Sequence, residues 1–147
     1  MSRPAVFFDR DGTLSREIGY VNHVTRFEPF PFAVDAIRAV NAGNRLAVMV
    51  TNQAGVARGY FPESLIGRIN GILKERVESS GARLDGIYYC PHHPSAGAPP
   101  YRQDCDCRKP KPGMLHRAAK ELDIDLAKSW VIGDRHGDLE LAWNVGA

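Results

Sequence analysis

Cysteine is scarce in this chain, and its placement narrows the fold class. Only three cysteines occur among 147 residues, and all lie between positions 90 and 107. A secreted disulfide scaffold spreads an even number of cysteines along its length, so that class does not fit. Long apolar runs are missing too: none approaches the length that spans a bilayer, and the N-terminus carries no signal-peptide pattern. The expectation is a cytoplasmic protein without a membrane partner. Charge of one sign is also lacking. Nineteen Lys and Arg stand against seventeen Asp and Glu, leaving a net charge of +2 that decides nothing about nucleic acid by itself. Basic residues cluster only locally, at Arg108, Lys109, Lys111 and Arg117. So small a cluster suits a small anion better than a polymer, which needs a longer stripe. There is no internal repeat and no low-complexity tract. The stretch from Pro94 to Pro100 is rich in Pro, Ala and Gly and reads as a loop. What remains is 44% hydrophobic and 24% charged, which fits one globular domain with a substantial core.

Apolar runs alternate with helical patterns. Ala5 to Phe8 reads as a buried strand, because it is apolar throughout with no polar alternation. Leu46 to Val50, Leu84 to Tyr89 and Trp130 to Ile132 read as three more. Between them, Ala33 to Ala42 reads as a helix with Ala36, Ile37 and Val40 on one face and Gly43 at its end. Pro62 to Ser80 reads as a long helix whose stripe is Leu65, Ile66, Ile69, Ile72 and Leu73. Pro112 to Leu122 is a third helix, and Asp138 to Trp143 begins a fourth. Repeated β-α-β units predict an α/β fold, Rossmann-like, with a mostly parallel sheet and helices on both faces.

Polar chemistry follows each strand. Asp9 and Asp11 leave the first in Phe7-Phe8-Asp9-Arg10-Asp11-Gly12-Thr13. Side chains two apart on extended backbone point the same way. Two carboxylates therefore emerge side by side at the sheet edge where open α/β folds bind ligands. A hard divalent cation relieves their repulsion, and one acid can then act as nucleophile while the other carries a proton. Thr51-Asn52-Gln53-Ala54-Gly55 follows the second strand, Arg108-Lys109-Pro110-Lys111-Pro112 follows the third, and Gly133-Asp134-Arg135-His136-Gly137-Asp138 follows the fourth. Thr51 brings a hydroxyl, Lys109 a point charge suited to phosphate, and Asp134 and Asp138 two further acids. Taken singly, each has a simpler reading: Asp-Gly as a turn with solvated acids, Thr51 or Asp134 as a helix cap, Lys109 as a loop lysine. Together at successive strand ends they describe a phosphoryl-transfer site.

The cysteines make a second signal. Cys90-Pro91-His92 and Cys105-Asp106-Cys107 supply four soft or borderline ligands, the set that a closed tetrahedral zinc site uses. A disulfide is the rival, and it would leave one cysteine over. His92 is the expected fourth ligand, with His93 beside it expected to be exposed. Four protein ligands leave no open position, so such a zinc would hold the loop rather than catalyse.

In this order, the Asp-x-Asp-Gly-Thr, Thr-Asn-Gln, Arg-Lys-Pro-x-Pro-Gly-Met and Gly-Asp-x-x-x-Asp motifs resemble the haloacid dehalogenase superfamily of phosphatases. Gly19-Tyr20-Val21, Gly55-x-x-Arg58-Gly59, Tyr88-Tyr89-Cys90-Pro91-His92-His93-Pro94 and Cys105-Asp106-Cys107-Arg108-Lys109-Pro110 narrow the likeness. They are similar to its zinc-loop branch of heptose bisphosphate phosphatases, ahead of the histidinol-phosphate phosphatases. The likeness covers essentially the whole chain. It implies a magnesium-dependent phosphatase that removes the 7-phosphate of a heptose 1,7-bisphosphate, a small phosphorylated sugar. Asp9 is implied as nucleophile and Asp11 as proton donor and then base. Thr51, Arg108 and Lys109 are implied to stabilise the phosphoryl group. Magnesium is implied on Asp9, the backbone carbonyl of Asp11 and Asp134, with structural zinc on Cys90, His92, Cys105 and Cys107. Sugar-phosphate contacts are implied for Glu17, Ile18, Gly19, Tyr20, Thr51, Asn52, Gln53, Ala54, Arg108 and Lys109, and for Arg135 where some relatives carry lysine.

Apart from the cysteine loop, the connections look short, so a capless single domain spanning 1–147 and a monomer are expected. Relatives are expected to continue for about one more strand and helix beyond Ala147. A different class is a non-catalytic zinc-containing binding module on the same fold. Such a descendant should have lost Asp9, Asp11, Lys109 or Asp134, and all four are present.

Overall fold

The computed structural model describes residues 2–147. Its strands are β1 (Ala5–Phe8), β2 (Leu46–Asn52), β3 (Gly86–Cys90) and β4 (Trp130–Ile132). Its helices are α1 (Ala33–Ala42), α2 (Glu63–Ser79), α3 (Gly113–Leu122) and α4 (His136–Val145), with short 3₁₀ turns at Val24–Arg26 and Leu126–Lys128. The strands form one parallel sheet in the order β3-β2-β1-β4.

Strand alternation divides the core in two. Val6, Phe8, Ala47 and Met49 face a layer filled by Ile37 of α1 and by Leu65, Ile66, Ile69, Leu73 and Val77 of α2. Ala5, Phe7, Leu46, Val48 and Val50 face the other layer, filled by Met114, Leu115 and Ala118 of α3 and Leu141 of α4. A sheet covered on both faces needs apolar residues at every position, which is why β1 and β2 show continuous runs. β4 lies at an edge, and there Trp130 and Ile132 are exposed.

The elements differ from the predicted ones at places set by tertiary partners. β2 runs on through Asn52, because Thr51 and Asn52 pair with Tyr89 and Cys90. β3 starts at Gly86 rather than Leu84: Asp85 spends its backbone N–H on the Ala47 carbonyl and its carboxylate on the Ala47 N–H, a side-chain bond that ends the regular ladder. On α2, Ile72 is exposed, and the buried stripe instead takes in Asn70 and Val77. α4 begins at His136 rather than Asp138, because the Asp138 carboxylate reaches back to accept the Arg135 N–H at 3.2 Å. The segment 9–32 between β1 and α1 is long rather than short. It folds on itself through bridges pairing Asp11 with Ser15 and Ser15 with Pro29.

The connection from β3 to α3 carries the cysteines. It is tied down at Glu63, in the first turn of α2, whose carboxylate accepts the hydroxyls of Tyr89 at 2.6 Å and Tyr101 at 2.9 Å. That bond pushes the Tyr89 phenol up to about 12.

Candidate active site

Parallel strands in register bring all four carboxyl ends to one edge, and a cleft of about 420 Å³ opens there. It is lined by Asp9, Asp11, Glu17, Gly19, Tyr20, Thr51, Asn52, Gln53, Ala54, Arg108, Lys109, Arg135, Gly137 and Asp138.

Lys109 occupies the centre of the charge pattern. Its Nζ donates to Asp9 Oδ1 at 3.0 Å, to Asp138 Oδ1 at 2.9 Å and to the Val50 carbonyl at 3.1 Å. All three charged side chains are almost fully buried. The backbone of Lys109 is clamped by Asn52, which accepts the Lys109 N–H at 3.0 Å and donates to the Lys109 carbonyl at 3.2 Å. β2 thus fixes the loop that carries the cation. Burial pushes the Asp9 carboxyl up to about 6, against the downward pull of Lys109.

Asp11 turns a different way from Asp9. Its carboxylate accepts both arms of the Arg10 guanidinium, at 3.0 and 3.1 Å, together with Ser15 Oγ at 3.2 Å and Gln53 Nε2 at 3.1 Å. Gln53 Nε2 also donates to Thr51 Oγ1 at 2.9 Å, which links the two strand ends. Gly12 has φ +88°, a left-handed conformation, and a Cβ there would stand 2.1 Å from Asp134 Oδ2. Only glycine allows Asp134 to approach this turn. Gly133 is under the same constraint from Asp138 Oδ2, also at 2.1 Å.

Asp9, Asp134 and Asp138 each present a carboxylate oxygen, and these atoms lie within 4.8 Å of one another. A hard-oxygen donor set of this kind fits a cation such as magnesium. Cys90, His92, Cys105 and Cys107 form a second group within the same span. Cys90 Sγ is 3.6 Å from His92 Nδ1 and 3.5 Å from Cys105 Sγ, while Cys107 Sγ is 3.3 Å from His92 Nδ1 and 2.6 Å from Cys90 Sγ. The Cys107 thiol falls to about 5, chiefly through its hydrogen bond with Cys90, whose own thiol is raised. Three thiol sulfurs and an imidazole nitrogen converging on one point fit a tetrahedral borderline-soft ion. The cluster touches the cleft through Arg108, whose Nη1 donates to the His92 carbonyl at 3.3 Å.

Placement of the expected residues is uneven. Ile18 packs against the core, since its neighbours Glu17 and Gly19 take the cleft side. Asp134 is exposed and joins the acid cluster from outside the lining. Arg135 reaches across to Glu17 at 3.3 Å. His93 is half-buried rather than exposed, because its Nδ1 accepts the N–H groups of Ser95 and Ala96. Two residues outside the implied catalytic, sugar-phosphate and metal sets stand out here. Asp138 is buried against Lys109, and Arg10 is buried against Asp11. The signal for Arg10 lay in α2, where Asn70 interrupts an apolar stripe.

Residues 106–147 match the family model described as "HAD-hyrolase-like". Over 137 residues the chain is 46% identical to a D-glycero-beta-D-manno-heptose-1,7-bisphosphate 7-phosphatase of Pasteurella multocida, covering 93% of this chain and 74% of that protein. It is 44% identical over 147 residues to the protein of the same name from Escherichia coli K12, covering 99% and 77%. Among solved structures, the D,D-heptose 1,7-bisphosphate phosphatase from B. bronchiseptica, complexed with magnesium and phosphate, superposes with a TM-score of 0.84 at 31% identity, covering 97% of this chain and 76% of that one. With 44–46% identity over nearly its whole length, the chain belongs to the haloacid dehalogenase superfamily of phosphatases, in the family of the D-glycero-beta-D-manno-heptose-1,7-bisphosphate 7-phosphatases.

Proposed function

We propose that this phosphatase removes the 7-phosphate of D-glycero-β-D-manno-heptose 1,7-bisphosphate, leaving the 1-phosphate in place. One observation carries the reading. A buried carboxylate, Asp9, lies 3.0 Å from a buried lysine in a cleft sized for a phosphorylated sugar, with further acids alongside. The substrate's identity follows the names of the relatives.

In this reading an Asp9 oxygen attacks phosphorus, the bond from phosphorus to the sugar oxygen breaks, and an aspartyl-phosphate forms. Asp11 gives its proton to the departing oxygen. It then takes a proton from the water that hydrolyses the acyl-phosphate, so that Asp9 and inorganic phosphate are regenerated. Thr51, Lys109 and Arg108 hold the phosphoryl oxygens. Glu17, Gly19, Tyr20, Asn52, Gln53, Ala54 and Arg135 border the space left for the sugar, and Ile18 sets the backbone of the first of these loops. Asp9 and Asp134, with the backbone carbonyl of Asp11 and with Asp138 close by, would hold magnesium, which supplies charge neutralisation at the transferring phosphoryl group. Zinc on Cys90, His92, Cys105 and Cys107 would fix the loop that leads into Arg108 and Lys109.

No helix among the described residues is long and apolar enough to cross a membrane. We place the enzyme in the cytoplasm as a monomer acting on a small soluble substrate, with neither nucleic acid nor membrane as partner.

The test is a substrate panel. Phosphate release from heptose 1,7-bisphosphate, histidinol phosphate and fructose 1,6-bisphosphate is compared at equal enzyme and magnesium. The heptose should exceed both others in kcat/KM by at least about a hundredfold, the discrimination that a hydrogen-bonding site can impose. Equal or better hydrolysis of histidinol phosphate would reassign the substrate.

A further inference from the structure

Arg10 is among the largest fully buried side chains of the molecule, with 1% of its surface exposed. A buried guanidinium is costly unless each arm has a partner. Here Nε and Nη2 take the two oxygens of Asp11, Nη1 takes Asn70 Oδ1 at 3.1 Å, and the group lies 5.6 Å from the centre of the Phe27 ring. The fork is bidentate between residues adjacent in sequence. Extended backbone would point such neighbours to opposite sides, so the fork requires the turn that follows β1. The Arg10 carbonyl anchors that turn, accepting the N–H groups of Leu14 and Ser15 and the Ser15 hydroxyl at 3.1 Å. Asn70 faces inward from α2 between Ile66, Ile69 and Leu73, where an apolar residue would pack without a hydrogen-bond requirement. The partner that accounts for an amide there is Arg10.

We propose that Arg10 is a positioning residue: held from beneath by Asn70 and Phe27, it fixes both oxygens of Asp11, and the Oδ2 lone pair now met by Gln53 Nε2 at 3.1 Å is the one that takes up the proton for the oxygen leaving phosphorus once that amide swings away. The inference rests on the reading of Asp11 as the proton-transferring group. Two-point contact matters because an aspartate held at one oxygen still rotates about χ2, and a misplaced acid loses most of its contribution. Lysine keeps the charge at this position but offers a point contact instead of a fork.

The test separates proton transfer from general loss of structure by the choice of leaving group. A sugar alkoxide needs a proton as it departs, whereas nitrophenolate does not. Magnesium-loaded wild type, Arg10→Lys, Asn70→Ala and Asp11→Asn are compared on heptose 1,7-bisphosphate and p-nitrophenyl phosphate, with single-turnover release of nitrophenolate recorded by stopped flow and folding followed by circular dichroism. Arg10→Lys should lower kcat on the sugar about a hundredfold, the usual scale of general acid–base catalysis, with KM nearly unchanged. The nitrophenolate burst should keep its rate to within about fivefold and then stall, as hydrolysis of the acyl-phosphate also draws on Asp11. Asn70→Ala should show the same pattern with about a tenfold loss, and it decides the matter if Arg10→Lys does not fold. Equal losses on both substrates in a folded variant, or no loss, would overturn the inference while Asp11→Asn still showed the leaving-group effect. If Asp11→Asn itself lost both activities equally, the proton-transfer reading would fail and the positioning role with it.

Discussion

Asp9→Asn should lower kcat on heptose 1,7-bisphosphate by about a thousandfold or more, because an amide is too weak a nucleophile to form the acyl-phosphate. The change is nearly isosteric, and Asn can still accept a hydrogen bond from Lys109 Nζ, so the fold should be retained. Binding should suffer less than turnover, since Thr51, Arg108 and Lys109 are left to grip the phosphate. Steady-state rates, with isothermal titration of inorganic phosphate as the measure of binding, check both halves. Acid-quenched wild type should carry about 80 Da of added mass on the peptide containing Asp9, the mass of one phosphoryl group, and the variant should carry none. Near-normal turnover by Asp9→Asn would remove the covalent mechanism.

Lys109→Met should be the most damaging change to stability in the cleft. Lys109 bridges two buried acids at 3.0 and 2.9 Å, so its loss leaves Asp9 and Asp138 facing each other without a cation. Removing one partner from a buried charge cluster costs roughly 3–5 kcal/mol. For a domain of this size that lowers the melting temperature by roughly 6–20 °C. The loss should depend on pH. Asp9 already sits above its ordinary value, at about 6. A carboxyl raised in the folded state contributes stability at low pH that is lost as pH rises through that value. Removing Lys109 takes away the influence that lowers it, so the gap between variant and wild type should widen from pH 5 to pH 8 in magnesium-free buffer. Added magnesium should recover part of the stability by binding the folded acids, but not the activity. Differential scanning calorimetry across that pH range gives the answer. A gap that stayed constant, or that narrowed with rising pH, would mean that Asp9 does not depend on Lys109 for its charge.

Much of this was legible from the sequence because parallel sheets make strand ends convergent. Once Ala5 to Phe8, Leu46 to Val50 and Trp130 to Ile132 are recognised as strands of one sheet, Asp9, Thr51 and Asp134 must approach each other. The clustering of Cys90, His92, Cys105 and Cys107 was legible for another reason: few other arrangements use those ligand types at that spacing. What escaped was set by contacts across the fold. Periodicity placed Ile72 in the α2 stripe, yet it lies at the margin of the packed face and keeps 38% of its surface exposed. Asn70 interrupts the same stripe, and its reason, the Arg10 guanidinium, lies sixty positions away. Leu84 looked like the start of a strand because it is apolar. It is buried, but Asp85 bonds sideways to Ala47 and delays the ladder. Asp138 looked like one more acid at a helix start. Its pairing with Lys109 depends on the docking of α4 beside the cleft, and spacing along the chain does not encode that.

Phosphorus NMR of a single reaction tests the central claim most directly. Heptose 1,7-bisphosphate carries an anomeric phosphate at C1 and a primary-alcohol phosphate at C7, and the two resonances are distinct. With magnesium and wild-type protein, the C7 resonance should disappear while inorganic phosphate rises in equal amount and the anomeric resonance persists. Asp9→Asn should leave both resonances unchanged over the same period. Loss of the anomeric phosphate first, loss of both at equal rates, or a substrate left intact by active protein would contradict the account.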